Sequence, residues 1–345
     1  MAQLFQSEQN PDLGPPAPPT PDPIKPAGTS GFAAAAILIG VVTCLYAGQR
    51  ARVFSATLTT RNRSGASAAP SPAPAVVPRR VFAGPMTDSD ADRLRAIQPQ
   101  AQAEELLARA LAHDERARDL FDHNIREWTG HLRMTPVMRQ LETRARFSSD
   151  LRVRYAHADL NLALEGWARN ESSADTLIAR AHAEPKFRSY AVYYLGMLAG
   201  RGVDYDRIHA VLLGYAQHDP DPIVRQWAVE GMRYLGKDEV LDDLFQSFTH
   251  DPSFSVRDRA GCNVSDCGNF SRAQRMRLVP RLIELVGDPA TAPQMRNWSF
   301  LALQEITGES LPADAAAWAN WYRAYGAEKL AQLQSQPWWQ IRGDE

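Results

Sequence analysis

The sequence predicts an all-α fold, an α-solenoid of about five helix pairs preceded by a helical segment. Two observations predict it. A short pattern ending in an apolar residue followed by Arg returns along the chain. Between its copies, apolar residues recur at steps of three and four, the spacing of one helix face. A third observation excludes the main alternative: no stretch alternates apolar and polar residues as a half-buried strand does.

The N-terminal end carries none of this pattern. Residues 1–30 hold eight prolines between Pro11 and Pro26, a composition that buries no core and is expected to be a disordered tail. It reads as a spacer or as a polyproline ligand for a groove-binding domain. GFAAAAILIGVVTCLYAG (31–48) has no charge, and as a helix it measures about 27 Å, close to the thickness of a bilayer core. It is expected to be a single transmembrane helix, making the lipid bilayer a partner and the bacterial inner membrane the location. Arg50, Arg52, Arg61 and Arg63 follow it, whereas Lys25 is the one basic residue shortly before. That asymmetry places the C-terminal side in the cytoplasm. Residues 49–86 form a Pro/Ala/Ser-rich linker of the kind that holds a domain off a membrane, often outside the cell.

From Thr87 the texture becomes helical. Thr87 with Asp90 reads as a capping box. In 115–132, Ala117, Leu120, Phe121, Ile125, Trp128 and Leu132 line one face of an expected helix. Thr135-Pro136 caps and opens the next, with Met138, Leu141 and Ala145 on one side. Residues 87–147 are thus an N-terminal helical segment, 148–310 the repeats, and 311–345 a capping helix and tail. The tail's QPWWQIRG is expected to fold back over the last repeat, which otherwise exposes an apolar face, or to anchor a partner through its tryptophans.

The repeat is clearest in DPDPIVRQWAVEGMRYLG (219–236). DPSFSVRDRAG repeats it, so Asp-x5-Arg occurs at Asp219/Arg225 and at Asp251/Arg257. Looser copies place Arg154 after Val153, Arg188 after Phe187, and Arg296 after Met295, with Asp288 ahead of the last. The Arg-to-Arg steps are 34, 37, 32 and 39 residues. Each residue type has a task. Pro cannot continue a preceding helix, so Asp-Pro separates two of them. Asp219, Asp251 and Asp288 are expected to accept hydrogen bonds from free amides at the start of the following helix. Ile223, Val224, Trp227, Ala228, Gly231, Met232 and Leu235 form the expected buried stripe, with Ala228 and Gly231 small enough for a close neighbour. Gly236 follows as a C-cap. Arg225 is expected to reach an acid of the adjacent repeat, and its counterparts to extend this into a ladder. The partner helices are 240–248 and 276–286, the second kinked at Pro280.

These motifs resemble the HEAT-repeat family. The likeness is close at 219–236, good at DPSFSVRDRAG, looser at the other three units, and extends over 150–308. The ending ALQEITGESLPADAAAWANWY (302–322) is similar to the tail that follows such arrays in bacterial proteins. The resemblance implies right-handed stacks of antiparallel helices that present an extended surface to a protein partner. Some bacterial members resemble bilin lyases, which implies a tetrapyrrole-binding enzyme as an alternative.

No chemistry stands out. HExxH, GxSxG, GxxxxGK[ST] and CxxC are missing. The eight histidines are scattered, and no cofactor or metal is expected. A formal net charge of −2 gives no reason to expect nucleic acid. Four basic residues are lysines and the rest arginines, which suit bidentate ion pairs between helices. Arg133, Arg139, Arg144 and Arg146 cluster, with Arg152 and Arg154 following. They read as an anion or lipid-headgroup site, or as a solvated face merging into the ladder. Cys262 and Cys267 are five residues apart and are expected to be free thiols, the alternative being a small disulfide loop. The expectation is a membrane-anchored protein-interaction scaffold without catalytic activity. A structural envelope protein is a further alternative.

Overall fold

The computed structural model describes Phe82 and residues 84–342. The Pro-rich tail (1–30), the apolar run (31–48) and all but the end of the linker (49–86) lie outside the described residues. Those described are helical, with no strand among them beyond one isolated bridge between Asp150 and Gln340.

The helices begin where the capping box places them. The Thr87 hydroxyl accepts from the Asp90 amide and the Asp90 carboxylate accepts from the Thr87 amide, opening α1 (Asp88–Arg95). α2 (Pro99–Ala110) and α3 (Glu115–Asn124) follow. The helix expected over 115–132 is shorter than its stripe: Ile125, Trp128 and Leu132 are buried, but turns deliver them. Gly130, at φ 77°, ends those turns and donates its amide to the Ala163 carbonyl at 2.7 Å, which tertiary packing and not the local pattern provides.

Five pairs then stack. They are α4 (Pro136–Arg146) with α5 (Leu151–Leu164), α6 (Glu171–Ala183) with α7 (Arg188–Gly200), α8 (Tyr205–His218) with α9 (Pro222–Met232), and α10 (Asp238–His250) with α11 (Phe254–Cys262). After α12 (Arg272–Arg275), the last pair is α13 (Val279–Gly287) with α14 (Pro293–Thr307). The second helices, α5, α7, α9, α11 and α14, pack neighbour upon neighbour, each against its own first helix. α15 (Ala315–Gln334) lies on α13 and α12 and closes the stack with a fully buried Trp318. Pro280 does not kink a helix. The chain passes through a 3-10 turn at Met276–Leu278, and Pro280 sits in the first turn of α13, where its missing N–H costs no bond.

Two apolar clusters meet at α5. Val153, Ala156, Leu160 and Ala163 join the N-terminal cluster, while Ala158 and Leu162 join the larger one that runs through to α15. α5, α7 and α9 are buried almost all round. A helix is buried on every side when both of its flanks are covered. Here one flank meets the first helices, and part of the other is covered by this chain's own segments.

The membrane expectation is corrected. Among the described residues no helix is long and apolar enough to cross a bilayer. α15 has the length, at 20 residues, but carries Arg323, Glu328 and Lys329. The single-pass location is not supported, and the run at 31–48 on which it rested lies outside the described residues.

Candidate interaction surface

The repeated Asp and Arg meet at the turns within pairs. Asp219, Asp251 and Asp288 end the first helices and accept from the amides of Asp221, Ser253 and Ala290, two residues on, at 2.7–2.9 Å. They shape the turn, and Asp221 is the side chain that caps α9. Arg188 reaches Asp219 of the next pair at 3.1 Å. Arg225 grips Asp251 with two bonds, at 2.9 and 3.0 Å, and its own turn through the Asp219 carbonyl at 3.0 Å. Arg257 and Arg296 bind the carbonyls of their own turns at Asp251 and Asp288. Arg154 is not a rung. Its guanidinium is fully buried and donates to the carbonyls of Ser148, Asp266, Cys267 and Gly268, more than 110 residues away for the last three.

The stack also buries a polar centre that the repeat pattern did not announce. Glu230, on α9, is 1 % exposed. Arg146 lies 2.7 Å from its carboxylate, Arg233 3.3 Å and Arg259 3.5 Å. Burial pushes the Glu230 carboxyl up, and the three guanidinium groups more than reverse this, holding it at about 2. Beside it, Glu142 accepts from His157 at 2.7 Å. Burial pushes Glu142 up, and the His157 hydrogen bond and Arg146 bring it down to about 2. His157 stacks on Tyr234, whose hydroxyl is 3.3 Å from that of Tyr193. Arg146 is therefore committed to Glu230 and does not join Arg133 and Arg139 in an anion site; those two are exposed and Arg144 is half-buried. The signal for this centre was present in the sequence as Glu230 and Arg233, charged residues inside an apolar run.

Cys262 and Cys267 form a disulfide, with Cα atoms 5.5 Å apart, which corrects the free-thiol expectation. It spans a π turn (Asn263–Cys267) that continues α11. Beside its own Gly268 amide to Asn263 carbonyl bond at 3.2 Å, the turn is held by distant elements that a local pattern cannot reveal. Asn263 donates to the Val229 carbonyl at 3.1 Å, and the Asn269 amide to that of Arg233 at 2.8 Å.

The C-terminal segment also departs from expectation. It leaves α15 and runs to the start of the stack, not over its end. The Leu151 amide donates to the Trp339 carbonyl at 2.7 Å and the Ile341 amide to Ser149 at 2.9 Å. Ile341 is fully buried, the Arg152 guanidinium lies 4.0 Å from the Trp339 ring centre, and Arg342 pairs with Asp266.

The turn edge is more open. Ile223, expected in the buried stripe, is 52 % exposed, and Phe254, near the start of the next second helix, is 42 % exposed. At the opposite turns lies a cavity of about 240 Å³, where Asp159, Thr129 and Trp167 are among the lining residues. Asp159 is paired there with Arg169 and Arg201 at 3.2 and 3.0 Å.

Residues 174–262 match the family model for HEAT repeats. The matched stretch contains α7 to α11 and most of α6, including the Asp219 and Asp251 turns. HEAT repeats are generally protein-interaction scaffolds. No curated protein and no solved structure matches the chain. The pairs on either side, α4–α5 and α13–α14, continue the same HEAT-like stacking outside the matched residues.

Proposed function

We propose that this chain is a protein-interaction scaffold without catalytic activity. The observation that carries the reading is the array of HEAT-matched pairs, locked in register by Arg188–Asp219 and Arg225–Asp251, with Ile223 and Phe254 exposed on successive second helices. Large apolar side chains leave water most favourably against another protein, and fixed spacing between repeats turns single residues into a pattern a partner can read. A photo-crosslinking amino acid placed at 223, and separately at 254, tests this in the cells that make the protein. The same protein is expected at both positions, and its capture is expected to disappear when the neighbouring exposed residue becomes Asp. Different or no captured proteins at the two positions remove the reading.

A further inference from the structure

The segment 336–342 is bound to the rest of the chain as a separate peptide would be. It adds an antiparallel bridge at Asp150–Gln340, flanked by the Leu151–Trp339 and Ile341–Ser149 main-chain bonds. One aliphatic side chain, Ile341, is fully enclosed, and the basic residue after it meets Asp266. Trp338 stays 63 % exposed. These are the elements of peptide recognition by strand addition: main-chain bonds for affinity and side-chain sites for selectivity.

Part of this grip comes from the π turn. Asp266 lies inside the Cys262–Cys267 loop. Arg275 donates to the Ile341 carbonyl at 3.4 Å and is itself held by the Gly268 carbonyl, next to Cys267, at 2.6 Å. Arg154 ties the same three carbonyls, Asp266, Cys267 and Gly268, to the helix whose N-terminus receives the segment. A cross-link over so short a loop restricts the shapes available to the turn.

We infer that 336–342 is a displaceable plug at the N-terminus of α5 and that the Cys262–Cys267 disulfide is its redox latch. An external dithiol supplies two electrons and two protons: the S–S bond breaks to two thiols, and the dithiol closes to its own disulfide. The π turn then relaxes, the grip on Arg342 and Ile341 weakens, and the segment leaves more often, so that an extended peptide with an aliphatic side chain followed by a basic one enters in its place. This rests on the scaffold reading only for the identity of the natural occupant, and the test uses this chain's own segment.

The test is fluorescence anisotropy of a labelled peptide copying 336–342, added to the full chain before and after dithiothreitol, with hydrogen exchange on the same samples. Reduction is expected to speed both uptake of the peptide and amide exchange at 149–151 and 339–342, each on the order of tenfold, with α8 and α9 unchanged. The double variant Cys262→Ser/Cys267→Ser is expected to take up the peptide at the rate of the reduced protein with or without dithiothreitol, and a peptide carrying Ile341→Asp is expected not to bind. Three results overturn the proposal: a rate of peptide uptake indifferent to dithiothreitol, faster exchange through α8 and α9 as well, or alkylation of both cysteines in the unreduced protein. Absence of crosslinks at 223 and 254 bears on the scaffold reading alone.

Discussion

Gly196 and Gly231 face each other across α7 and α9 without room for a side chain. A Cβ built on Gly196 stands 2.1 Å from the Gly231 carbonyl oxygen, and one on Gly231 stands 2.4 Å from the Val192 carbonyl oxygen. The two helices touch backbone to backbone at the middle of the HEAT-matched stretch, and this contact sets the spacing of the second-helix layer. Gly196→Ala is expected to force them apart and to cost about 2 kcal/mol, the usual scale of overpacking. Urea denaturation of the variant measures it, and an unchanged midpoint refutes the close contact.

The rungs of the ladder are predicted to differ in strength. Arg225 is buried, the Asp251 carboxylate is largely enclosed, and two bonds join them, so Arg225→Ala leaves that carboxylate with the Ser253 amide but no counter-charge and is expected to cost about 3 kcal/mol. Arg257 binds only backbone carbonyls among its described hydrogen bonds, and its loss is expected to cost about 1 kcal/mol. Paired denaturation curves check the order, and a larger effect at Arg257 contradicts it.

Acid should loosen the buried polar centre first. The Glu230 carboxyl is held at about 2 in the folded chain against an ordinary 4.5. A carboxyl depressed by folding contributes stability that is whole above its ordinary value and is lost as pH falls through it toward the folded one. The loss is expected between pH 4.5 and 2 and on the order of 3 kcal/mol, with Glu142 adding in the same window. Glu230→Gln is expected to be less stable than the wild type at pH 7 and to show a flatter acid limb. Thermal melts from pH 7 to 3 measure both, and parallel curves for the two proteins count against the prediction.

Trp318 closes the far end. It is fully buried and its indole N–H donates to the Pro312 carbonyl at 3.0 Å. Trp318→Ala is expected to cost about 4 kcal/mol and to raise amide exchange in α13 and α14 before α7 and α9. Uniform exchange along the stack excludes this order.

The all-α class, the helix pairs and their turns were readable without the structure, because they depend on near neighbours. A 3- and 4-residue apolar spacing defines a helix face, Pro ends a helix, and Asp shapes the turn that follows. The Arg188 and Arg225 contacts were readable as a class for the same reason: a residue repeated at a fixed period meets its neighbour's copy. Where the period is interrupted, the reading lost its grip. Arg154 has the repeated position but not the repeated contact: the next turn, between α6 and α7, carries Glu184, which pairs with Arg180, and Arg154 turns to the carbonyls of Ser148 and of 266–268. Ile223 follows the stripe by spacing, yet sits at the helix start, where the face turns to solvent. Only tertiary packing decided that Glu230 gathers three arginines, that Cys262 and Cys267 join over a π turn, and that Ile341 crosses to Ser149. Each of these links residues far apart in the chain or departs from helical geometry. Their partners are chosen by how helices stack, and no local spacing encodes that choice.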